Sequence, residues 1–236
     1  MLTAPQNPAR GLAQVREKTA IAARESCRDP DSVTLIGVAK SQPIERIVAA
    51  VAAGLADLGE NYAQEAEAHR AALAGRGPGG PAPAWHFIGA LQSNKTRPVA
   101  LHFDWVHTVD RLRIAERLSA QRPAALAPLA VCIQVRLGDE ATKSGVAPAE
   151  LPALAAAVAR LPRLSLRGLM ALPPEESDPA RQRRWFRELR LLLESLNRTG
   201  LRLDALSMGM SGDFEAAIAE GATHIRIGTA LFGRRA

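Results

Sequence analysis

The stretch VTLIGVAKSQPIERIVAAVAAG, residues 33–54, decides the fold of this 236-residue chain. It begins with an apolar, β-branched run from Val33 to Lys40, which is typical of a buried strand. Pro43 then suits the first turn of a helix, and apolar residues recur at helical spacing after it: Ile44, Ile47, Val48 and Val51. A strand followed directly by an amphipathic helix is the repeating unit of parallel α/β folds.

The same unit recurs to the end of the chain, because seven more short apolar runs alternate with amphipathic stretches. The runs are DLGE (57–60), WHFIGA (85–90), DWVHTV (104–109), LAVCIQVRL (129–137), LSLRGLMAL (164–172), LDALSMG (203–209) and HIRIG (224–228). Eight strands alternating with helices predict an α/β fold, a single TIM-type (β/α)8 barrel over residues 33–233. An extra N-terminal helix is predicted within residues 1–30. A doubly wound open sheet is the alternative, but no G-x-G-x-x-G follows the first strand.

The composition is that of an ordinary globular protein, with 47% hydrophobic and 23% charged residues, and it excludes disorder as the main state. No apolar run reaches 18 residues and the N-terminus has no apolar signal region, so we expect no membrane partner. The two cysteines, Cys27 and Cys132, lie far apart and lack metal-ligand spacing. We therefore expect a cytoplasmic protein without a metal site.

The net charge of +6 raises the question of nucleic-acid binding. The densest run of positive charge is RQRRWFRELR, residues 181–190, where the arginines alternate with apolar residues at helical spacing. A solvated helix face explains this pattern better than a nucleic-acid patch, so we expect no nucleic-acid partner.

Lys40 is the first candidate for chemistry, because active sites of such barrels lie at the carboxyl ends of the strands. By the period of two along a strand, Lys40 shares one face with Thr34, Ile36 and Val38. If that face lines the barrel, the amine lies at its mouth, where a lysine can form an imine with a carbonyl compound. The alternative is a lysine at a strand end that points into solvent.

Two later segments have the features of phosphate-binding turns, which in these barrels often follow strands seven and eight. In SMGMSGDFEAAI (207–218), a strand runs through a glycine-containing turn into a helix whose first N–H groups suit a phosphate. In HIRIGTALFG (224–233), Gly228 and Thr229 offer two further N–H groups and a hydroxyl. The alternatives are a routine turn with Ser211 as helix cap, and an internal ion pair for Arg226.

Other candidates are weaker. Glu60 and Asn61 end the second strand, and His86, inside the third, is better explained as a satisfied core histidine. Lys143 lies in the polar segment GDEATKSG, where a solvated lysine is the default, and GRGPGGPAPA (75–84) reads as a surface loop.

Taken together, six segments resemble one family: VAKSQP, LGENYAQE, WHFIGALQSNK, TKSG, SMGMSGDFEAAIAEG and HIRIGTALFG. The resemblance is to the YggS/PROSC family of pyridoxal 5′-phosphate (PLP) homeostasis proteins, which are related to the barrel domain of alanine racemase. It covers residues 33–233. The departures are small: Leu58 stands where the family usually has an aromatic residue, and Ala171 follows GLM.

The resemblance implies a cofactor, PLP, and a role for each matching residue. Lys40 is implied as the Schiff-base lysine and Arg226 as the partner of the pyridine nitrogen. The other implied cofactor-binding residues are Ser211, Gly228 and Thr229 for the phosphate, Ser207 and Gly209 for the shape of the turn, and Asn61 and Met208 as pocket contacts.

The resemblance also implies a binding function, with no catalytic residues. An arginine at the ring nitrogen makes the ring a poorer electron sink than an aspartate would. The related racemase needs a second base, a tyrosine from a separate domain, whereas Tyr62 is the only tyrosine here and does not fill that role in the family. The sequence ends soon after the eighth strand, so we expect a monomeric PLP carrier with apoenzymes as recipients. A weak PLP-dependent amino acid racemase is the alternative.

Overall fold

The structure is a computed structural model that describes residues 7–75, 81–138, 144–174 and 176–233. Lys143 and residues 76–80 of the predicted 75–84 loop lie outside the described residues.

The strands form a closed parallel barrel in which each strand pairs with the next and β8 pairs with β1. The strands are Thr34–Val38 (β1), Asp57–Glu60 (β2), Ala84–Phe87 (β3), Trp105–Val109 (β4), Leu129–Val135 (β5), Leu164–Ala171 (β6), Ala205–Ser207 (β7) and His224–Ile227 (β8). The predicted (β/α)8 barrel is confirmed, and closure between β8 and β1 excludes the open-sheet alternative. Because β1 ends at Val38, Lys40 lies on the turn that follows the strand rather than at its end.

Helices surround the barrel. They are Pro8–Glu25 (α1), Ile44–Ala52 (α2), Ala63–Ala74 (α3), Thr96–His102 (α4), Leu112–Gln121 (α5), Leu151–Val158 (α6), Pro179–Arg198 (α7), Phe214–Ala219 (α8) and Thr229–Phe232 (α9). The predicted N-terminal helix is confirmed as α1, which begins at its Asn7 cap, where the side chain accepts the Ala9 N–H. Its buried face repeats at helical spacing and packs against α2, α8 and α9. Of the helices described, none is both long and apolar enough to cross a membrane.

Neighbouring residues of a strand face opposite sides of the barrel wall, which decides what enters the interior. Gly37 faces the helices, because a Cβ there would lie 2.5 Å from Leu55 Cδ2. Ile36 faces the interior, fully buried, and is level with Arg226 in the neighbouring β8. The main core lies between the strands and the helices, and a small second cluster of Cys132, Met170 and Ala205 packs with Trp105.

Candidate functional site

The turns that follow β1 and β2 place an amine at the mouth of the barrel. Lys40 is half-buried there, and its Nζ lies 5.8 Å from the centre of the Tyr62 ring. The next residue, Ser41, has a positive φ of 56°, and its N–H donates to Glu65 of α3 at 3.1 Å. The lysine is therefore held on a constrained turn against an exposed aromatic ring, rather than on a free chain segment.

The turn after β2 lies directly against the turn after β3. A Cβ on Gly89 would lie 2.3 Å from the carbonyl oxygen of Asn61, so the close approach of the two turns needs a glycine. Asn61 is half-buried in this turn, and its role as a pocket contact stays a prediction.

The acidic residue of the turn after β7 forms a hydrogen bond within that turn. Asp213 Oδ1 accepts the N–H of Met210 at 2.6 Å, and burial raises the pKa of Asp213. Helix α8 begins at Phe214, so Ser211 does not cap it and the routine-cap alternative is wrong. The Asp213 carboxylate is turned toward the Met210 N–H. The turn therefore contains an acidic residue, yet its other hydrogen-bond donors stay available to an anion.

The turns after β7 and β8 lie against each other. Ser211 Oγ accepts the N–H of Ala230, in the first turn of α9, at 3.3 Å. A Cβ built on Gly212 would meet no atom within 4 Å, and one on Gly228 would meet only Val38 Cβ, at 3.6 Å. The two segments predicted from sequence thus form one surface with open space before its glycines, beside the end of β1.

Arg226 lies inside the barrel, below these turns, with 4% of its surface exposed. Its Nη1 donates to Ser207 Oγ at 2.7 Å and its Nη2 donates to the Ala171 carbonyl at 3.0 Å. Burial lowers the pKa of Arg226 to about 10, so the guanidinium stays charged at neutral pH. In the described part of the chain it forms no ion pair, so the internal ion-pair interpretation is not supported.

The remaining predicted contacts differ in how they face this region. Gly209 has a φ of +92° and its carbonyl accepts the Arg226 N–H at 2.9 Å, which joins β7 to β8 at the turn. Met208 follows the inward Ser207 and so faces the helices, where its side chain is fully buried in the main core. Its role as a pocket contact stays a prediction that only its backbone could fulfil.

Sequence reasoning missed a line of polar residues inside the barrel. His107 Nδ1 bonds to Ser207 Oγ at 2.7 Å, and its Nε2 bonds to His86 Nδ1 at 2.9 Å. His86 Nε2 bonds in turn to Asp57 Oδ1 at 2.9 Å, which confirms His86 as a satisfied core histidine. Polar residues at inward positions of otherwise apolar strands were the signal that could have found His107 and Asp57.

Other side chains with reactive or charged groups do not belong to this site. Burial raises the pKa of Cys132 to about 12, so that thiol is inert at neutral pH. Three arginines of α7 surround the buried Glu220 within 3.5 Å: Arg183, Arg187 and Arg190. No three histidine, cysteine or acidic side chains converge to hold a metal ion within the described ranges.

The fold and the site define a class of protein, a barrel with a lysine at the mouth and paired turns after β7 and β8. The family described as the alanine racemase N-terminal domain matches residues 13–236, so the barrel is of this class.

Relatives of this chain narrow the class to a family. A pyridoxal phosphate homeostasis protein of Pseudomonas aeruginosa is 56% identical over 235 residues, covering 100% of this chain and 97% of the relative. A protein of the same description from Escherichia coli K12 is 52% identical, covering 96% of each. The structure of PipY from Synechococcus elongatus with PLP bound has a TM-score of 0.84 and 39% identity, covering 96% of this chain and 100% of that one. The chain belongs to the family of pyridoxal phosphate homeostasis proteins.

Proposed function

We propose that this protein binds PLP through a Schiff base to Lys40 and takes part in intracellular PLP homeostasis, without efficient catalysis of its own. The observation that carries the proposal is the convergence of three kinds of group at one end of the barrel. They are the half-buried amine of Lys40, the joined turns of Ser211 and Gly228, and the buried cation of Arg226. These match the aldehyde, the phosphate and the ring nitrogen of PLP.

Lys40 would supply the covalent bond. Its neutral amine adds to the aldehyde carbon, and loss of one water leaves a carbon–nitrogen double bond, with no change in oxidation state. The constrained turn and the Tyr62 ring keep the Lys40 amine at the mouth, where a small molecule can reach it. The reaction is reversible, which suits a protein that binds and later releases its ligand.

The turns after β7 and β8 would hold the phosphate. The first N–H groups of α9 have no acceptor within their own helix, and Ser211 and Thr229 each add a hydroxyl. The space in front of Gly212 and Gly228 is of the kind that a side chain would fill, so the glycines keep it open for a ligand. We assign the phosphate to Ser211, Gly228 and Thr229, with Ser207 and Gly209 shaping the turn.

Arg226 would face the ring nitrogen and limit the chemistry. When bound, PLP supplies an electron sink for amino compounds, and a cationic donor that keeps the ring nitrogen unprotonated weakens that sink. Arg226 retains its proton because its pKa is about 10 even after burial. A carrier follows from this arrangement more readily than an efficient enzyme does.

The wider role follows from the family. A protein that holds PLP reversibly limits the free aldehyde, which reacts with stray amines, and can deliver it to PLP-dependent apoenzymes. We propose that it does so in the cytoplasm as a monomer, with neither nucleic acid nor membrane as partner.

Borohydride trapping tests the proposal directly. The protein is mixed with PLP, reduced, digested and mapped by mass spectrometry. We expect a stable adduct on Lys40, none in Lys40→Ala, and an unchanged Lys40 adduct in Lys18→Ala, whose exposed lysine on α1 pairs with Glu215. A wild-type protein that carries no label on Lys40 would contradict the proposal.

A weak PLP-dependent racemase is the second candidate, and one contact favours it. The only tyrosine of the chain, Tyr62, lies against Lys40, so a second proton-transfer group is at hand. The PLP-loaded protein is incubated with single enantiomers of amino acids, alongside Lys40→Ala and Tyr62→Phe. Sustained racemisation that both variants lose would favour the enzyme, whereas no turnover above free PLP favours the carrier.

A further inference from the structure

A chain of four hydrogen bonds crosses the interior of the barrel from its mouth toward its amino end. It runs from Arg226 to Ser207 (2.7 Å), His107 (2.7 Å), His86 (2.9 Å) and Asp57 (2.9 Å). Its members come from β8, β7, β4, β3 and β2, so only the closed barrel brings them together. The first four are buried, and the Asp57 side chain, at the start of β2, is 24% exposed.

The two ends of this chain determine where its protons lie. A guanidinium can only donate hydrogen bonds, and an ionised carboxylate can only accept them. With both imidazoles neutral, one arrangement satisfies all four bonds. Ser207 donates to His107 Nδ1, His107 donates from Nε2 to His86, and His86 donates from Nε2 to Asp57. The Nδ1–H tautomer of His86 would leave a ring lone pair facing the Asp57 carboxylate. The Nδ1–H tautomer of His107, beside His86 in its Nε2–H form, would leave two ring lone pairs facing each other.

The surroundings of His107 favour its neutral form. Burial lowers the pKa of His107 well below 6.5, and the positive charge of the nearby Arg226 acts in the same direction. Trp105 packs against both histidines of the hydrogen-bond chain, with its ring centroid 5.8 Å from that of His86 and 5.7 Å from that of His107. A fixed proton arrangement in a packed interior holds each hydroxyl and ring in one orientation.

We propose that Asp57, His86 and His107 are positioning residues, which orient the Arg226 guanidinium toward the ring nitrogen of bound PLP. The inference rests on the proposed function. Because the Ser207 proton is used toward His107, the oxygen lone pairs of Ser207 are left for Arg226 Nη1, while Ala171 O holds Nη2. Two acceptors on adjacent strands thus fix the plane of the guanidinium.

The chain orients Arg226 rather than conducting protons to it. Conduction would require Arg226 to give up a proton, and with a pKa of about 10 roughly one molecule in a thousand is neutral at pH 7. A fixed orientation needs no such event.

The first test needs no cofactor. Nitrogen-15 NMR of the PLP-free protein reports the tautomer of each histidine, with the half-exposed His102 as the control signal. We expect His86 and His107 both in the neutral Nε2–H form between pH 6.5 and 8, and we expect Asp57→Ala to abolish the preference at His86. A proton on Nδ1 of His107, or a charged His86, would overturn the inference.

The second test uses the PLP-loaded protein and variants of Asp57, at the end of the hydrogen-bond chain opposite Arg226. We expect Asp57→Ala to shift the visible absorption band of the complex and to weaken PLP binding about tenfold. Asp57→Asn keeps an acceptor oxygen for His86 and should retain most of both properties. Asp204→Ala is the matched control. Asp204 is another carboxylate at the amino end, but it pairs with Arg167 and is not part of the hydrogen-bond chain.

The outcomes separate the two proposals. If the wild-type protein gives no adduct at Lys40, the proposed function fails and this inference falls with it. If the adduct forms but Asp57→Ala leaves the band and the affinity unchanged, or Asp204→Ala alters them equally, only the positioning inference is overturned. Should Asp57→Ala not fold, Asp57→Asn and the NMR result still decide it.

Discussion

At the carboxyl end of the barrel, polar groups lie on turns and face open space, whereas at the amino end they bond to one another. Lys40 and the turns of Ser211 and Gly228 leave room before them, and a Cβ added at Gly212 would touch nothing. At the amino end, His86 bonds to Asp57, and Arg167 forms two bonds with Asp204.

The difference shows how one barrel separates binding from stability. Polar groups that bond one another at the amino end support the fold, because each would be costly to bury unpaired. Donors on turns at the carboxyl end contribute little to the fold and stay available for a ligand. Outside the line of Asp57, His86 and His107, substitutions of paired or buried polar groups at the amino end should therefore act on unfolding, and loss of a hydroxyl that faces open space at the carboxyl end should act on PLP binding.

The largest expected effect is acid destabilisation from the amino end. Burial lowers the pKa of His224 to about 4, and an unfolded histidine titrates near 6.5. The unfolded state therefore takes up the proton first. The contribution of His224 is complete above pH 6.5 and is lost as the pH falls toward 4, about 3 kcal/mol in all.

Urea unfolding of the PLP-free protein at several pH values measures this effect. His224→Gln should reduce the loss of unfolding free energy between pH 6.5 and 4 by that amount. Asp213 and Glu60, whose pKa values are raised by burial, act in the opposite direction, and the comparison with the variant cancels them. Parallel curves for the two proteins would contradict the prediction.

A smaller effect is expected at the carboxyl end, from two glycines of one turn. Gly209 has a φ of +92°, and a Cβ there would lie 2.7 Å from Ala217 Cβ. Gly209→Ala should lower the unfolding free energy by about 2 kcal/mol. The matched variant Gly212→Ala has open space around its Cβ and should stay within about 0.5 kcal/mol of the wild type. Equal losses in the two variants would show that the turn is not constrained as described.

The smallest effect separates ligand binding from stability at the same end. Ser211→Ala removes one hydroxyl that faces the turn of α9, and we expect PLP affinity to fall about tenfold while the unfolding free energy of the PLP-free protein changes by less than about 1 kcal/mol. Equilibrium titration with PLP and urea unfolding measure the two quantities. A loss of stability without a loss of affinity would reverse the comparison between the two ends.

Much of the fold was predictable because its signals are local. Each strand is a short apolar run bounded by a turn or helix signal, and all eight were found with ends shifted by a few residues. The shift mattered at Lys40, which lies on the turn after β1, because hydrogen bonding between strands, rather than hydrophobicity, decides where a strand ends.

The site was predictable only in part. Lys40, Ser211 and Arg226 stand at strand ends or within motifs that resemble a known family. His107 and Asp57 carry only the weaker signal of polar residues at inward strand positions, which does not show what they contact. Met208 faces the helices by strand alternation.

The order of strands and helices, and the few residues able to form an imine or hold a phosphate, were determined by the sequence alone. Only the tertiary structure decided that Arg226, Ser207, His107, His86 and Asp57 form one line of hydrogen bonds. The physical reason is that the alternation of residues along one strand shows only whether a residue faces the barrel interior or the helices. Bonds across the interior depend on barrel closure and register, which arise from all eight strands together.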